Sequence, residues 1–429
     1  MEYRKEIIKA FVWILSIFLL FINTSCGDND QDKKANTVQT AKKLKIAINA
    51  GPEGKAIEIL GPKYEEAELE IIKLPYQSLR QQLISALNDE QTDFDIVMVD
   101  DPWFPQLAEN LAQLNNIPSK LMDDIVPSSL ALCRSPYKEG DLKALPFVGN
   151  TQLLFYRADI LSKLGYENVP TQWQELSGLA KEISDGSLNV DKKRVYGYAI
   201  RGRSGAPIVT DFLPVFWSMG GRLVNDRGNP TAVAIDKKKL KKAMLIYKEL
   251  QESSPPGATN FDWSEMTAAF TNGQAVFELN WPAAIPKIDS AIKSKKKYRK
   301  WGLSLPPGNQ GNTGTSMIGN WLLAIPRDSE KIELAEELII WLMEQQGKVA
   351  SSGNPPTRQS VFKQLAEEPG KEYFSTILKA LKLSTPRART EKWTQIEDAV
   401  SRSVSGFLTG GLTIDKAVKM MESEINKIF

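Results

Sequence analysis

The sequence predicts an α/β protein of two lobes, and three observations carry that prediction. Its 429 residues exceed one ordinary hydrophobic core. Its apolar and charged fractions, 42% and 25%, are those of a globular chain. Short apolar runs alternate along it with segments of helical period. Strand, helix, strand, helix repeated in this way argues a doubly wound α/β arrangement. Open sheets of that kind bind ligands outside the carboxyl ends of their strands, so strand exits are where site residues are sought.

The first 25 residues carry basic Arg4, Lys5 and Lys9, then the apolar run Ala10–Ile22, then Thr24-Ser25 directly before Cys26. That run falls short of the roughly 20 residues a membrane-spanning helix needs, and its flanks are those of a secretory signal. A cysteine directly after the small residues resembles a bacterial lipoprotein signal, which implies cleavage and lipidation at Cys26. Asn23 departs from that pattern, which prefers an aliphatic residue there. Uncleaved, the segment would still hold the chain at a membrane. Residues 26–43 are polar, lack apolar periodicity and read as a flexible tether. The only other cysteine, Cys133, sits among leucines and reads as buried packing.

Leu44, Ile46 and Ile48 alternate with Lys45, Ala47 and Asn49 as a first strand, and the Gly51–Gly54 turn places Glu53 at its exit. A helix is predicted over 56–67 despite Gly61-Pro62, then a strand over Leu69–Leu74 and a helix carrying Leu79, Leu83, Ile84 and Leu87. The run Asp95–Val99 fits a parallel strand covered on both faces, and it ends in Asp100-Asp101-Pro102-Trp103. Two carboxylates and an indole there suit a polyhydroxylated ligand, since acids accept hydroxyl hydrogen bonds and aromatic faces cover C–H patches. Equally, Asp101 could cap a helix that has Pro102 in its first turn and Trp103 packed inward.

Leu145–Tyr156 is strand-rich, and Thr171-x-x-Gln174 has the form of a capping box. Asp211–Val224 carries Trp217, and Lys237–Leu250 is a helix with Leu240, Met244, Tyr247 and Leu250 inward. The stretch Phe261–Pro286 gives a short helix, a glycine cap at Asn272-Gly273, the strand Ala275–Leu279 and Pro282 opening another helix. Trp281 therefore lies at a strand exit, as ligand platform or as core. The Lys-rich stretch Lys293–Lys300 reads as a solvated face. It is followed by a strand near Trp301–Leu305, a glycine-rich loop to Gly314, the segment Met317–Pro326 and two amphipathic helices, near 332–342 and 413–428.

Composition excludes several functions. The net charge of +2 argues against a nucleic-acid binder. The absence of histidine removes triad hydrolases and imidazole-held metals. No P-loop or dinucleotide glycine fingerprint occurs, so no cofactor and no metal are expected.

Read in order, GPEGKA, FDIVMVDDPWFPQLAENLAQL, GNTQLLFYRADILSKLGY with TQWQEL, FTNGQAVFELNW, IGNWLLAIPRDS, PPTR and LTIDKAVKMMESEI resemble the landmarks of family 1 extracellular solute-binding proteins of bacterial ABC importers. The resemblance covers nearly all of Lys43–Phe429. It implies a two-lobed periplasmic-binding-protein fold of type II kind with mainly parallel sheets, lobe 1 being 44–150 with 304–343 and lobe 2 being 151–303 with 344–429. It implies ligand contacts on the loops of Glu53, Asp100, Asp101, Trp103, Asn150, Thr151, Trp217, Trp281, Gly319, Asn320, Trp321 and Arg358. It also implies a monomer on the outer face of a membrane, lipid-anchored through Cys26, that passes an oligosaccharide to permease subunits. A polyamine or sugar-phosphate would use the same loops. An extracytoplasmic glycosidase would also need paired carboxylates. A lipid-anchored sensor or adhesin is a third reading.

Overall fold

The computed structural model describes residues 42–88, 92–186, 188–190, 193–294, 300–310 and 314–429. The signal segment, Cys26, most of the tether and the middle of the Lys-rich stretch lie outside the described residues. In chain order the principal strands are β1 (Lys43–Asn49), β2 (Glu68–Leu74), β3 (Ile96–Asp100), β4 (Leu145–Val148), β5 (Leu153–Tyr156), β6 (Tyr196–Ala199), β7 (Ala275–Asn280), β8 (Gly302–Ser304) and β9 (Trp321–Ala324). They form two sheets among the described residues, ordered β2-β1-β3-β9-β4 and β6-β7-β5-β8.

The continuous apolar run of β3 has the reason expected of it, since every residue from Ile96 to Asp100 is buried. β1 runs parallel to β2, with Ile46 opposite Ile71, and parallel to β3. β6 and β7 are parallel as well. The expectation of parallel pairing therefore holds for two of the four strand pairs of the first sheet and for one of the three of the second. β9 is antiparallel to β3 and β4, and β5 is antiparallel to β7 and β8. The stretch read as one strand-rich unit, 145–156, serves both sheets: β4 closes the first, the chain steps across through Gly149–Gln152, and β5 enters the second.

Each sheet has its own core. One cluster gathers Leu44, Ile46, Val97, Val99, Leu322 and Leu338 around the first sheet, and another gathers Leu154, Phe212, Tyr247, Phe277, Ile396 and Met421 around the second. The predicted inward residues of helix Lys237–Glu252 are all buried, and Asp236 caps it by accepting from the backbone N–H groups of Lys238 and Lys239. The helix expected over 56–67 stops at Leu60 and tightens into a turn at Gly61–Lys63, because Pro62 brings no N–H to continue it. The capping box expected at Thr171 does not form: the helix Trp173–Asp185 starts after Gln172 without a side-chain cap. A capping box forms instead between Asp262 and Glu265, opening the helix Trp263–Thr271. No helix among the described residues is long and apolar enough to cross a membrane.

A cleft at the strand exits

Strand ends converge on one cavity of about 620 Å³. Asn49 and Glu53 follow β1, Tyr76 begins the helix after β2, and Asp100 ends β3. Trp321 belongs with them although it opens its strand, because β9 runs antiparallel to β3 and sets Trp321 opposite Asp100. From the second sheet, Arg201 follows β6 and Trp281 follows β7. Arg203, Asp262, Trp263, Asn150, Gly319 and Arg387 complete the part of the lining that matters chemically.

The aromatic residues serve the cavity in two ways. Tyr76, Trp103 and Trp321 pack on one another, with ring centroids 4.7 Å (Tyr76–Trp103), 5.7 Å (Trp103–Trp321) and 6.0 Å (Tyr76–Trp321) apart. Trp103 sits behind, so it braces the two that reach the cavity. Trp281 packs in part against the second core and turns the rest of its indole to the cavity. It lies directly over Gly319, where an added Cβ would come within 2.6 Å of a ring carbon. The sequence GN at 319–320 is thus a gap for a tryptophan from the other sheet.

The polar groups are held from behind. The Asp100 carboxylate accepts from the Tyr76 hydroxyl at 2.7 Å, and burial pushes it up to about 6 against the opposing Arg387 charge, with Asp101 raising it further. Glu53 is also raised, by burial, and accepts from Asn49 Nδ2 at 3.0 Å. Asp262, despite burial that works the other way, is held below its ordinary value, chiefly by Arg201; it pairs with both Arg201 and Arg203. Three carboxylates, of Glu53, Asp100 and Asp262, therefore share the lining with three guanidinium groups, of Arg201, Arg203 and Arg387. Asn150 Oδ1 is buried without a hydrogen-bond partner among the described residues.

Of the residues expected at the site, Glu53, Asp100, Asn150, Trp281, Gly319 and Trp321 line the cavity. Asp101, Trp103, Thr151, Trp217, Asn320 and Arg358 do not line it. Asp101 is fully buried and neither caps a helix nor faces the cavity; it is ion-paired to Arg387 at 2.8 Å and Arg389 at 3.3 Å. Thr151 donates its hydroxyl to the Met317 carbonyl in the crossing segment. Trp217 is packed in the second core, with the Arg227 guanidinium 5.1 Å from its ring. Asn320 is fully buried, its neighbours Gly319 and Trp321 alone reaching the lining. Arg358 pairs with Asp124 at 2.9 Å, and neither residue is among those that line the cavity. Sequence reasoning passed over Tyr76, Arg201, Arg203, Asp262, Trp263 and Arg387. The strand-exit rule could have found Tyr76 and Arg201, which follow β2 and β6; Arg387 lies in a link between two helices and carries no such signal. Among the described residues no group of three His, Cys, Asp or Glu is placed to hold a metal.

A cavity of this size, enclosed by strand exits from two separate sheets and lined with aromatic and charged groups in balance, defines a two-lobed ligand-binding protein. Residues 18–349 match the model of the bacterial extracellular solute-binding proteins, and the chain belongs to that family. It is 25% identical over 423 residues to a probable ABC transporter-binding protein of Deinococcus radiodurans, covering 96% of this chain and 94% of that protein. It is 24% identical over 420 residues to a mannitol-binding protein of Pseudomonas aeruginosa, covering 89% and 91% of the two chains. The fold matches maltose-bound MalE3 of T. maritima with a TM-score of 0.78 and 27% identity, over 91% of this chain and 100% of that one.

Proposed function

We propose that the protein captures a carbohydrate or polyol in this cavity and delivers it to the permease of an ABC importer. The observation that carries the reading is the interleaving of Trp281, Trp321, Trp263 and Tyr76 with Glu53, Asp100, Asn150 and Arg201 on one surface. Hydroxyl groups would exchange water for those carboxylates, amide and guanidinium groups, while indole faces cover the ring C–H patches. Relatives that bind mannitol and maltose support the same ligand class. Lobe 1, residues 44–150 with 304–343, and lobe 2, residues 151–303 with 344–429, would close by hinge motion, stabilised only by contacts a ligand makes to both. The protein works as a monomer without a cofactor, at the outer face of a membrane through lipidated Cys26.

Titration calorimetry on the full-length protein tests the ligand class, with maltose, D-mannitol, ribitol and D-tagatose against spermidine and glucose 6-phosphate. Saturable binding of a neutral sugar or polyol is expected. Binding only to the polyamine or the phosphate ester overturns the reading. Turnover of a chromogenic glycoside would make the protein an enzyme instead. Cys26→Ser should move the protein from the membrane to the soluble fraction; retention in the membrane would leave an uncleaved anchor in place of the lipid.

A further inference from the structure

The second wall of the cleft is held from inside its own core. Arg201 follows β6 into the cavity lining, where its Nε donates to Asp262 at 2.7 Å and its Nη1 to the Thr210 hydroxyl at 3.3 Å. Its backbone N–H donates to Asp211 Oδ2 at 3.0 Å. Thr210 and Asp211 are consecutive on the helix Ala206–Ser218, so that helix grips Arg201 by side chain and by backbone at once. The other oxygen of Asp211, Oδ1, accepts from Gln152 Nε2 at 3.2 Å. Gln152 is the last residue of the segment that crosses between the sheets, and its backbone N–H donates to the Met317 carbonyl. One carboxyl group that does not line the cavity therefore joins a cleft residue to the crossing.

Asp211 is 1% exposed and, among the described residues, has only those two donors, neither of them charged. Asp101, just as buried, has two guanidinium groups on it. The contrast decides which of the two keeps its charge, since a buried carboxylate with no cation on it is costly and a proton removes the cost. Burial accordingly pushes Asp211 up to about 7, against the Arg201 charge, the Arg201 N–H and Gln152, while the Asp262 charge raises it further. The other titratable groups facing it are Tyr198 from β6, Tyr247 from the helix Lys237–Glu252 and Glu278 from β7; Arg203 acts on it only through the shared Asp262. Gln152 serves either state of the carboxyl. Its Oε1 is buried with no hydrogen-bond partner among the described residues, so turning the amide over lets a protonated Asp211 donate where an ionised one accepts.

We infer that Asp211 is a positioning residue of the cleft and its ligand-linked proton site: it fixes Arg201 from behind, and as a ligand fills the cleft a proton from water moves onto it. The assignment rests on the carbohydrate reading above. The physical cause is desolvation. A neutral ligand over Arg201 and Asp262 takes the place of water that screens their charges and the one behind them, and it brings no charge of its own to offset the loss. The ionised form of Asp211 becomes costlier, so its proton is held to higher pH in the complex than in the free protein. By reciprocity the ligand binds the protonated protein more tightly, and affinity falls as pH rises through about 7.

The probe is whichever of maltose, D-mannitol, ribitol and D-tagatose binds the full-length protein most tightly, titrated by calorimetry at pH 7.5 in phosphate and in Tris, whose ionisation enthalpies differ, and then from pH 6.5 to 8.5. The wild type should take up about half a proton per ligand at pH 7.5 and bind about fivefold more weakly at pH 8.5 than at pH 6.5. Asp211→Asn keeps both hydrogen bonds, its oxygen accepting from the Arg201 N–H and its amide donating to Gln152 Oε1, but it cannot titrate. Proton uptake should disappear in that variant and its affinity should stay level across the range. Gln152→Met removes a donor that lowers Asp211, so the midpoint of the pH profile should move up, and this second variant answers if Asp211→Asn fails to fold. A merely structural role would weaken binding by one factor at every pH and leave the uptake and the midpoint as they are. Asp100, Glu397 and Glu278, raised to about 6, 7 and 8, are the rival acceptors of the proton. Uptake that survives in Asp211→Asn belongs to one of them and overturns this assignment alone, as does a wild type that binds the probe without uptake. If no neutral probe binds, the carbohydrate reading falls and this assignment with it.

Discussion

The two walls of the cleft are built by the same device and secured in different ways. On the first sheet, the rings of Tyr76, Trp103 and Trp321 brace one another and Asp100 is tied to Tyr76, so the wall is one packed unit. On the second, Trp281 and Trp263 stand apart; Trp263 lies under the Lys287 ammonium at 4.0 Å, and Trp281 depends on the gap at Gly319. The tryptophans expected to meet a ligand are thus not one kind of residue. Trp103 and Trp217 are packing, Trp321 is packing with one edge in the cavity, and Trp281 is only partly buried.

The largest expected effect comes from breaking the braced wall. Trp103→Ala should cost about 3–4 kcal/mol of unfolding free energy, as large-to-small changes in packed cores do, and should weaken ligand binding through the loosened Tyr76 and Trp321. Denaturant melts read the first effect and calorimetry the second. Next comes the open wall: Trp281→Ala should weaken a bound sugar about 30-fold, or about 2 kcal/mol, with a smaller loss of stability than Trp103→Ala. Equal stability losses in the two variants would erase the distinction between the walls. Gly319→Ala should act on Trp281 without touching its chemistry, since the new methyl displaces the ring; about tenfold weaker binding is expected, with the intrinsic fluorescence of the unliganded protein altered. Unchanged affinity would mean that the ring has room to move without consequence.

The smallest effect concerns the interior of the second wall. Glu278 is fully buried on β7, where burial pushes it up to about 8, with the Asp211 charge also raising it against a hydrogen bond from Asn280. Asp211, accepting from Gln152 and from the Arg201 backbone, is itself raised to about 7, by burial first. Tyr198 and Tyr247 face the same groups and are held well above their ordinary range, by burial first and then by the charge of Asp211. The native state therefore keeps protons that the unfolded chain loses near its ordinary carboxylate value of 4.5. Stability contributed in this way is full at low pH and is lost as pH rises towards 8. Glu278→Gln should flatten the fall in melting temperature between pH 5 and 8.5; an equally steep fall in the variant would place the proton elsewhere.

Much of this architecture was legible along the chain. Alternation at Leu44–Ile48, the buried run ending at Asp100 and the helical spacing of Leu240, Met244, Tyr247 and Leu250 each gave the element that forms, because burial on one or both faces writes its period into the residues. Gly273 caps the helix before β7 in a left-handed conformation, φ 76°, as the Asn-Gly pair suggested. Local signals failed where distant partners outbid them. Thr171 lost its capping role, and Asp101, equally ready to cap or to meet a ligand, was claimed by two arginines more than 280 residues away in sequence.

By itself, then, the sequence determined the alternation of elements, the exits at which a ligand could sit, and the kinship of motifs that marks a solute-binding protein. Tertiary structure decided which side chains at those exits face the cavity and which face a core. Asp100 and Asp101 are neighbours of the same type, and only the sheet's pleat and the arrival of Arg387 and Arg389 give one to the cavity and the other to the interior. The physical reason is that an element's period is set by its nearest neighbours along the chain, whereas the partner of a buried charge is chosen by whatever the folded chain brings within a few ångströms of it.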